Sequence, residues 1–158
     1  PDGVHTLSDK LFEVDYDTNP GNKKITAVNL PNSLKKIGSQ AFRGCGALGS
    51  LDIPGSVIEI GDRAFENCIN LSQINIPNSV VNIYESAFFG CTSLTEITIP
   101  KGLIEIEDGD LFLGCNNLMT INVATENPNY QSIDGHVYSK DGTISKCFHF
   151  LKNQLYNQ

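Results

Sequence analysis

Apolar and turn-forming residues recur along this chain with a fixed spacing. Prolines lie at intervals of 23 residues in four successive repeats: Pro31, Pro54, Pro77 and Pro100. Cysteines follow the same spacing, with one interval of 24 residues at the end: Cys45, Cys68, Cys91 and Cys115. A unit of this length cannot bury its own apolar side, but it does so when neighbouring units stack on it. The pattern therefore predicts a solenoid whose rungs contain 23 residues.

Each repeat contains three segments with different patterns. Segments 48–53, 71–76 and 94–99 share the pattern L-x-x-[LI]-x-I, which is typical of a strand with one buried face. The proline that follows cannot donate to a β-ladder, so the strand ends and the chain turns. Next comes a second short stretch in which apolar and polar residues alternate. It is followed by an Ala-Phe pair that leads to the cysteine, and we interpret this last piece as a single helical turn. The prediction is an α/β-type repeat solenoid dominated by β-structure, with short parallel strands.

The repeat also resembles a known family. The segment from Leu48 to Leu71 reads L-x-x-L-x-I-P-x-S-V-x-x-I-G-x-x-A-F-x-x-C-x-x-L, which resembles the BspA-type leucine-rich repeat of bacterial and protist surface proteins. The resemblance runs through residues 24–123 and implies a right-handed coil. Residues 127–142 resemble the hairpin that often closes such arrays, and we expect Lys140-Asp141-Gly142 to form its turn.

These boundaries predict a single leucine-rich repeat domain over residues 1–158. Residues 1–23 are the expected N-terminal cap, with a strand carried by the apolar alternation of Leu11, Phe12, Val14 and Tyr16. Residues 24–123 hold the repeats. Residues 124–158 are the expected C-terminal hairpin cap and tail, and the segment after Ser145 is compatible with either a capping strand or a flexible tail.

Composition narrows the possible partners. The chain has 158 residues, 40% of them hydrophobic, and a formal net charge of -7. Such a charge repels phosphate backbones and anionic membrane surfaces, which disfavours nucleic-acid and membrane-surface roles. No apolar stretch has the roughly 18 residues that a membrane-spanning helix needs, so no membrane insertion is expected. The first residues, Pro1-Asp2-Gly3, suggest a processed or trimmed chain.

Candidate chemistry is sparse. The five cysteines show no C-x-x-C spacing, so core packing is the favoured interpretation, with a disulfide involving Cys147 or an adjacent pair as the alternative. Asp15-x-Asp17-x-Asn19 begins like a calcium-binding loop but lacks the required later positions. The three histidines belong to no catalytic or metal-binding motif. We therefore predict no enzymatic activity, no cofactor and no metal site.

Two solvent-facing columns remain as candidate binding surfaces. The first consists of the outward positions of the main strands, from Ala27 and Asn29 in one rung to Thr120 and Asn122 in the last, and forms a polar, weakly acidic surface. Its candidate binding residues are Ser50, Asp52, Gln73, Asn75, Glu96 and Thr98. The second lies on the second stretch of each repeat and holds three β-branched residues: Ile58, Val81 and Ile104. The second column has two interpretations, either strand propensity at wet positions or an apolar strip that contacts a partner.

The family resemblance implies adhesion or host interaction at a cell surface. The expectation is therefore a non-enzymatic, cell-surface or secreted binding module that presents a repeat surface to a protein or glycan partner, as a monomer or with weak self-association. The alternative is a structural spacer, selected for rigidity and without a ligand of its own.

Overall fold

The chain winds into a coil whose successive turns stack in parallel, as the 23-residue period predicts. The computed structural model describes residues 3–13, 24–106 and 110–141. Eleven strands are present in these residues: β1 (Thr6–Leu7), β2 (Lys36–Ile37), β3 (Ser50–Asp52), β4 (Glu59–Ile60), β5 (Gln73–Asn75), β6 (Asn82–Ile83), β7 (Glu96–Ile99), β8 (Glu105–Ile106), β9 (Thr120–Val123), β10 (Tyr130–Ile133) and β11 (His136–Ser139).

The second stretch of each rung forms the longest continuous sheet. Its five parallel strands follow the order β1-β2-β4-β6-β8, with one strand from each turn of the coil. The register places the buried residues Leu7, Ile37, Ile60, Ile83 and Ile106 in one line. Glycine after the isoleucine allows the rungs to approach closely here. A Cβ atom on Gly61 would lie 2.6 Å from the Ser39 nitrogen of the preceding rung.

The main strands form two separate pairs instead of one ladder. Strand β3 pairs with β5, and β7 pairs with β9, both in parallel. Among the described strands, β5 and β7 are neighbours in space without being joined in a sheet. The strands alternate as predicted, because Leu51, Ile97 and Ile121 point into the core between exposed or partly exposed polar residues. Ile74, which lies in line with them, is only partly buried.

The predicted helical turn is wrong. The segments that contain the Ala-Phe pairs are successions of turns, and no α-helix occurs in the described residues. The reason is a left-handed backbone at the same position of four rungs, where φ is 59° at Lys10, 57° at Gln40, 51° at Arg63 and 56° at Ser86. A residue in this region interrupts a right-handed helix. Alternate N–H groups, such as those of Gln40 and Phe42, instead donate to carbonyls of the next rung.

Stacked phenylalanines fill the middle of the coil. Phe12, Phe42, Phe65, Phe88 and Phe112 form one column with ring centroids 5.1 to 5.8 Å apart. The separations suit offset aromatic stacking, and the three central rings have no solvent exposure. One phenylalanine per rung therefore supplies a continuous apolar spine.

The cysteines form a second internal column. Cys45, Cys68, Cys91 and Cys115 are buried and free, whereas Cys147 lies outside the described residues. Each thiol donates to a phenylalanine carbonyl of the preceding rung, at 3.1 to 3.2 Å, as Cys68 does to Phe42. Cysteine is thus both a small filler and a donor that satisfies a buried carbonyl.

The C-terminal hairpin is present, but its turn was predicted at the wrong place. Strands β10 and β11 pair in an antiparallel manner across Asp134-Gly135 instead of Lys140-Asp141-Gly142. Both central residues have positive φ, 50° and 77°, which is what a type I′ turn requires and what Asp-Gly readily adopts. Lys140 and Asp141 follow the second strand, and Gly142 lies outside the described residues.

The hairpin closes the end of the coil through polar side chains. Asn127 is fully buried and donates to the carbonyls of Pro100 (2.8 Å) and Leu103 (3.2 Å). Its side-chain oxygen accepts from the N–H groups of Asn129 (2.9 Å) and Tyr130 (2.8 Å). The Tyr130 hydroxyl accepts from Ile106 N–H at the edge of the five-stranded sheet. This edge is therefore covered, as sheet edges usually must be.

The N-terminal cap differs from its prediction. Its strand is Thr6–Leu7, and Leu11 and Phe12 lie in the turn that follows it. Phe12 occupies the place that Phe42 has in the next rung, so residues 5–13 form part of a rung of the same kind. Val14 and Tyr16 lie outside the described residues. The predicted domain boundaries stay a prediction.

Candidate functional site

The main strands present a continuous polar surface, which we call the polar face: Ser50, Asp52, Gln73, Asn75, Glu96 and Thr98. All six side chains are exposed, because they alternate with the inward apolar residues of β3, β5 and β7. The parallel register places Ser50 beside Gln73 and Asp52 beside Asn75. The structure thus brings together the six candidate binding residues of the first predicted column.

An open concavity of about 400 Å³ runs over this face. It reaches from Asp52 on β3 to Glu96 and Thr98 on β7, and it also includes Asn122 on β9. Its middle lies where β5 and β7 are not joined in a ladder, and the partly buried Ile74 contributes to its lining. The concavity therefore spans several rungs, as a site for an extended ligand would.

Side chains of the polar face are not committed to the fold. Within the described residues none of the six makes a side-chain hydrogen bond. Polar side chains elsewhere in the rung do, and they bind backbone carbonyls of the preceding rung. Ser56 donates to Leu34 and Ser79 to Val57, each at 2.6 Å. Donors and acceptors on the polar face are consequently available to a ligand, whereas those of Ser56 and Ser79 hold neighbouring rungs together.

The carboxylates show the same contrast. Glu13 and Glu66 both contact Arg43, and Glu59 contacts Lys36. Asp52 and Glu96 have no lysine or arginine partner in the described part of the chain. The polar face contains no basic residue, so its negative charge is uncompensated locally.

The second predicted column, which we call the apolar ribbon, consists of Ile58, Val81 and Ile104. Their backbones are in register, since Val81 N–H donates to Ile58 and Ile104 N–H to Val81. Ile58 is 43% and Ile104 61% exposed, whereas Val81 is only partly exposed. The ribbon is thus interrupted at its middle, and its exposed apolar surface is smaller than that of three fully exposed residues.

The described residues form no cluster of metal-binding side chains. No group of three or more histidine, cysteine, aspartate or glutamate residues with metal-binding geometry occurs in residues 3–13, 24–106 and 110–141. Asp15, Asp17 and Asn19 lie outside these ranges. Burial raises the pKa of the Cys45 thiol to about 11 and raises that of Cys68 as well, which opposes the thiolate form that reactivity needs. Across the same ranges no helix has the length and apolarity to cross a membrane.

Three features of the structure escaped the sequence prediction. The first is the contribution of Ser72 and Ile74 to the concavity. The second is the set of exposed apolar residues outside the ribbon: Val4, Leu11, Ile69, Met119 and Ile133. The third is the cap built on Asn127. The Asn127-Pro128 pair signalled a turn, but nothing in the sequence indicated that this asparagine would be fully buried.

The coil of stacked 23-residue rungs, with parallel strands on the polar face, defines a leucine-rich repeat scaffold. A model of the BspA-type leucine-rich repeat region matches residues 20–145 in six copies, and the chain belongs to this family. Proteins of the family are generally non-catalytic repeat scaffolds for protein interaction. A search of curated proteins finds no match.

Solved bacterial structures share the fold. A leucine-rich repeat protein of T. pallidum is 28% identical with a TM-score of 0.65, covering 75% of this chain and 62% of its own. The pneumococcal vaccine antigen PcpA is 29% identical with a TM-score of 0.61, and the match covers 69% of this chain and 27% of PcpA. A leucine-rich repeat protein from Eubacterium ventriosum is 22% identical with a TM-score of 0.66, and the match covers 87% of this chain and 42% of that protein. The chain thus spans less than two thirds of each of these proteins.

Proposed function

We propose that this chain is a non-enzymatic binding module of a cell-surface or secreted protein and that the polar face holds its protein or glycan partner. The observation that carries the proposal is the free hydrogen-bonding capacity of the six polar-face side chains, beside serines of the same rungs that are committed to cross-rung bonds. Membership of a family of interaction scaffolds, with a vaccine antigen among the similar structures, supports surface presentation.

The test is capture of partners from host-cell and matrix extracts by the purified domain. One variant combines Asp52→Ala, Asn75→Ala and Thr98→Ala on the polar face. The matched variant replaces all three residues of the apolar ribbon by threonine. All these positions are exposed or partly exposed, so the free energy of unfolding of both variants is expected to lie within about 1 kcal/mol of that of the parent chain.

We expect a partner that the parent domain and the ribbon variant retain and that the polar-face variant loses. Loss with the ribbon variant alone would transfer binding to the ribbon and contradict the polar-face assignment. The second candidate function is the rigid spacer, which the continuous phenylalanine spine favours. If micromolar domain retains nothing from either extract, the spacer is the better account.

A further inference from the structure

The charge on the polar face indicates which class of partner it fits. We infer that the face docks an extended, basic segment of a partner protein, with two cationic side chains placed on Asp52 and Glu96. This inference rests on the proposed function, because it specifies the ligand of the same surface. Both carboxylates border the concavity, and both are without a cation in the described residues.

The separation of the two carboxylates fits an extended chain. Asp52 lies on β3 and Glu96 on β7, two rungs further along the coil. Two rungs correspond to about 10 Å, and two residues along a strand to about 7 Å, so the carboxylates are roughly 12 Å apart on the diagonal. In an extended peptide, residues i and i+4 point to the same side and are about 13 Å apart. Two arginines or lysines with this spacing match the site.

The centre of the face suits the peptide groups between the two cations. Gln73 and Asn75 occupy the middle rung, and each amide side chain has both donor and acceptor atoms. Neither side chain makes a hydrogen bond to another described residue. They are therefore able to pair with a backbone that crosses between the carboxylates. The net charge of -7 adds long-range attraction for a basic segment.

The face itself lacks the arginine and aromatic residues that commonly anchor interfaces. A partner that brings arginine to this surface supplies what is missing, whereas an acidic partner would add repulsion. Pairs of this kind at an exposed site are individually weak, so the spacing of the two cations provides the selectivity.

The experiment uses two fluorescent peptides of identical composition, made of glycine, serine and two arginines. The arginines are at positions i and i+4 in the first peptide and adjacent in the second. Binding to the parent domain is measured by fluorescence anisotropy at low salt. We expect the spaced peptide to bind more tightly, and Asp52→Asn or Glu96→Gln to weaken it by about 2- to 5-fold each.

The matched control is Glu85→Gln, which removes the same charge at an exposed position on the turn after β6. It is expected to leave binding unchanged. Equal weakening by Glu85→Gln would show that only net charge acts, and equal affinity for the two peptides would show that the spacing is not recognised. Either result overturns the inference. If the extracts yield a partner that the polar-face variant loses while neither peptide binds, the binding module stands and the basic partner does not.

Discussion

Replacement of Asn127 tests how the C-terminal end of the coil is held. The side chain is fully buried and makes four hydrogen bonds, two as donor and two as acceptor. A typical hydrogen bond contributes about 1 kcal/mol net, and a buried group left without its partner costs more. Asn127→Ala should therefore lower the free energy of unfolding by about 4 kcal/mol, a large part of the stability of a domain of this size.

The assay is urea unfolding followed by far-ultraviolet circular dichroism. With a slope of about 2 kcal/mol per molar urea, the loss corresponds to a midpoint about 2 M lower. Asn127→Asp keeps the size and one acceptor but removes the donors to Pro100 and Leu103, so it should destabilise at least as much at neutral pH. Asn75→Ala is the control, because Asn75 is exposed and makes no side-chain bond in the described structure.

The location of the damage is also predicted. Because rungs contact only their neighbours, loss of the cap should first raise amide hydrogen exchange in β10, β11 and β8, and later in β4. A change below 1 kcal/mol for Asn127→Ala, or equal effects of Asn127→Ala and Asn75→Ala, would refute the role of the four bonds in closing the coil.

Three further predictions concern the interior columns. Phe65→Ala should cost about 3 to 5 kcal/mol in urea unfolding, because the ring is fully buried between two stacked neighbours; a loss below 1 kcal/mol would mean that the spine repacks. Burial raises the pKa of Cys45 from 9.0 to about 11, so the folded state holds its proton longer than the unfolded state. Stability should be unaffected by this thiol below pH 9.0 and fall as the pH rises toward 11. In a Cys147→Ser background, the remaining thiols should resist a thiol reagent until urea is added, and rapid labelling of the native protein would contradict their burial.

The sequence predicted the repeat well because the same contact recurs in every rung. Each phenylalanine meets a phenylalanine, and each corner serine meets a carbonyl, so the residue type is fixed at a fixed interval. The backbone of the turns was not predictable in this way. Gln40, Arg63 and Ser86 share a left-handed conformation without sharing a residue type, and no side-chain pattern indicates it.

The hairpin illustrates a different error. Both Asp134-Gly135 and Asp141-Gly142 carry the turn signal of a type I′ hairpin, and the prediction chose the second pair. The structure uses the first pair, with four residues in each strand around it. The choice depends on docking against β9, where Ile121 N–H donates to the Gly135 carbonyl, and that contact is not visible in the local sequence.

The candidate site was predicted as a set of positions but not as a surface with a charge pattern. Strand alternation determines that Asp52 and Glu96 face outward, whereas the absence of a cation beside them in residues 3–13, 24–106 and 110–141 depends on side-chain placement in three dimensions. Columns that support stacking hold nearly identical residues from rung to rung, while the polar face changes in each rung.

The interior columns repeat because every rung meets the same neighbour, so their substitution changes stability. The polar face meets no neighbour in the fold, and its substitution should change binding without changing stability. A polar-face variant that unfolded early would therefore contradict the separation of fold and function on which the proposed site depends.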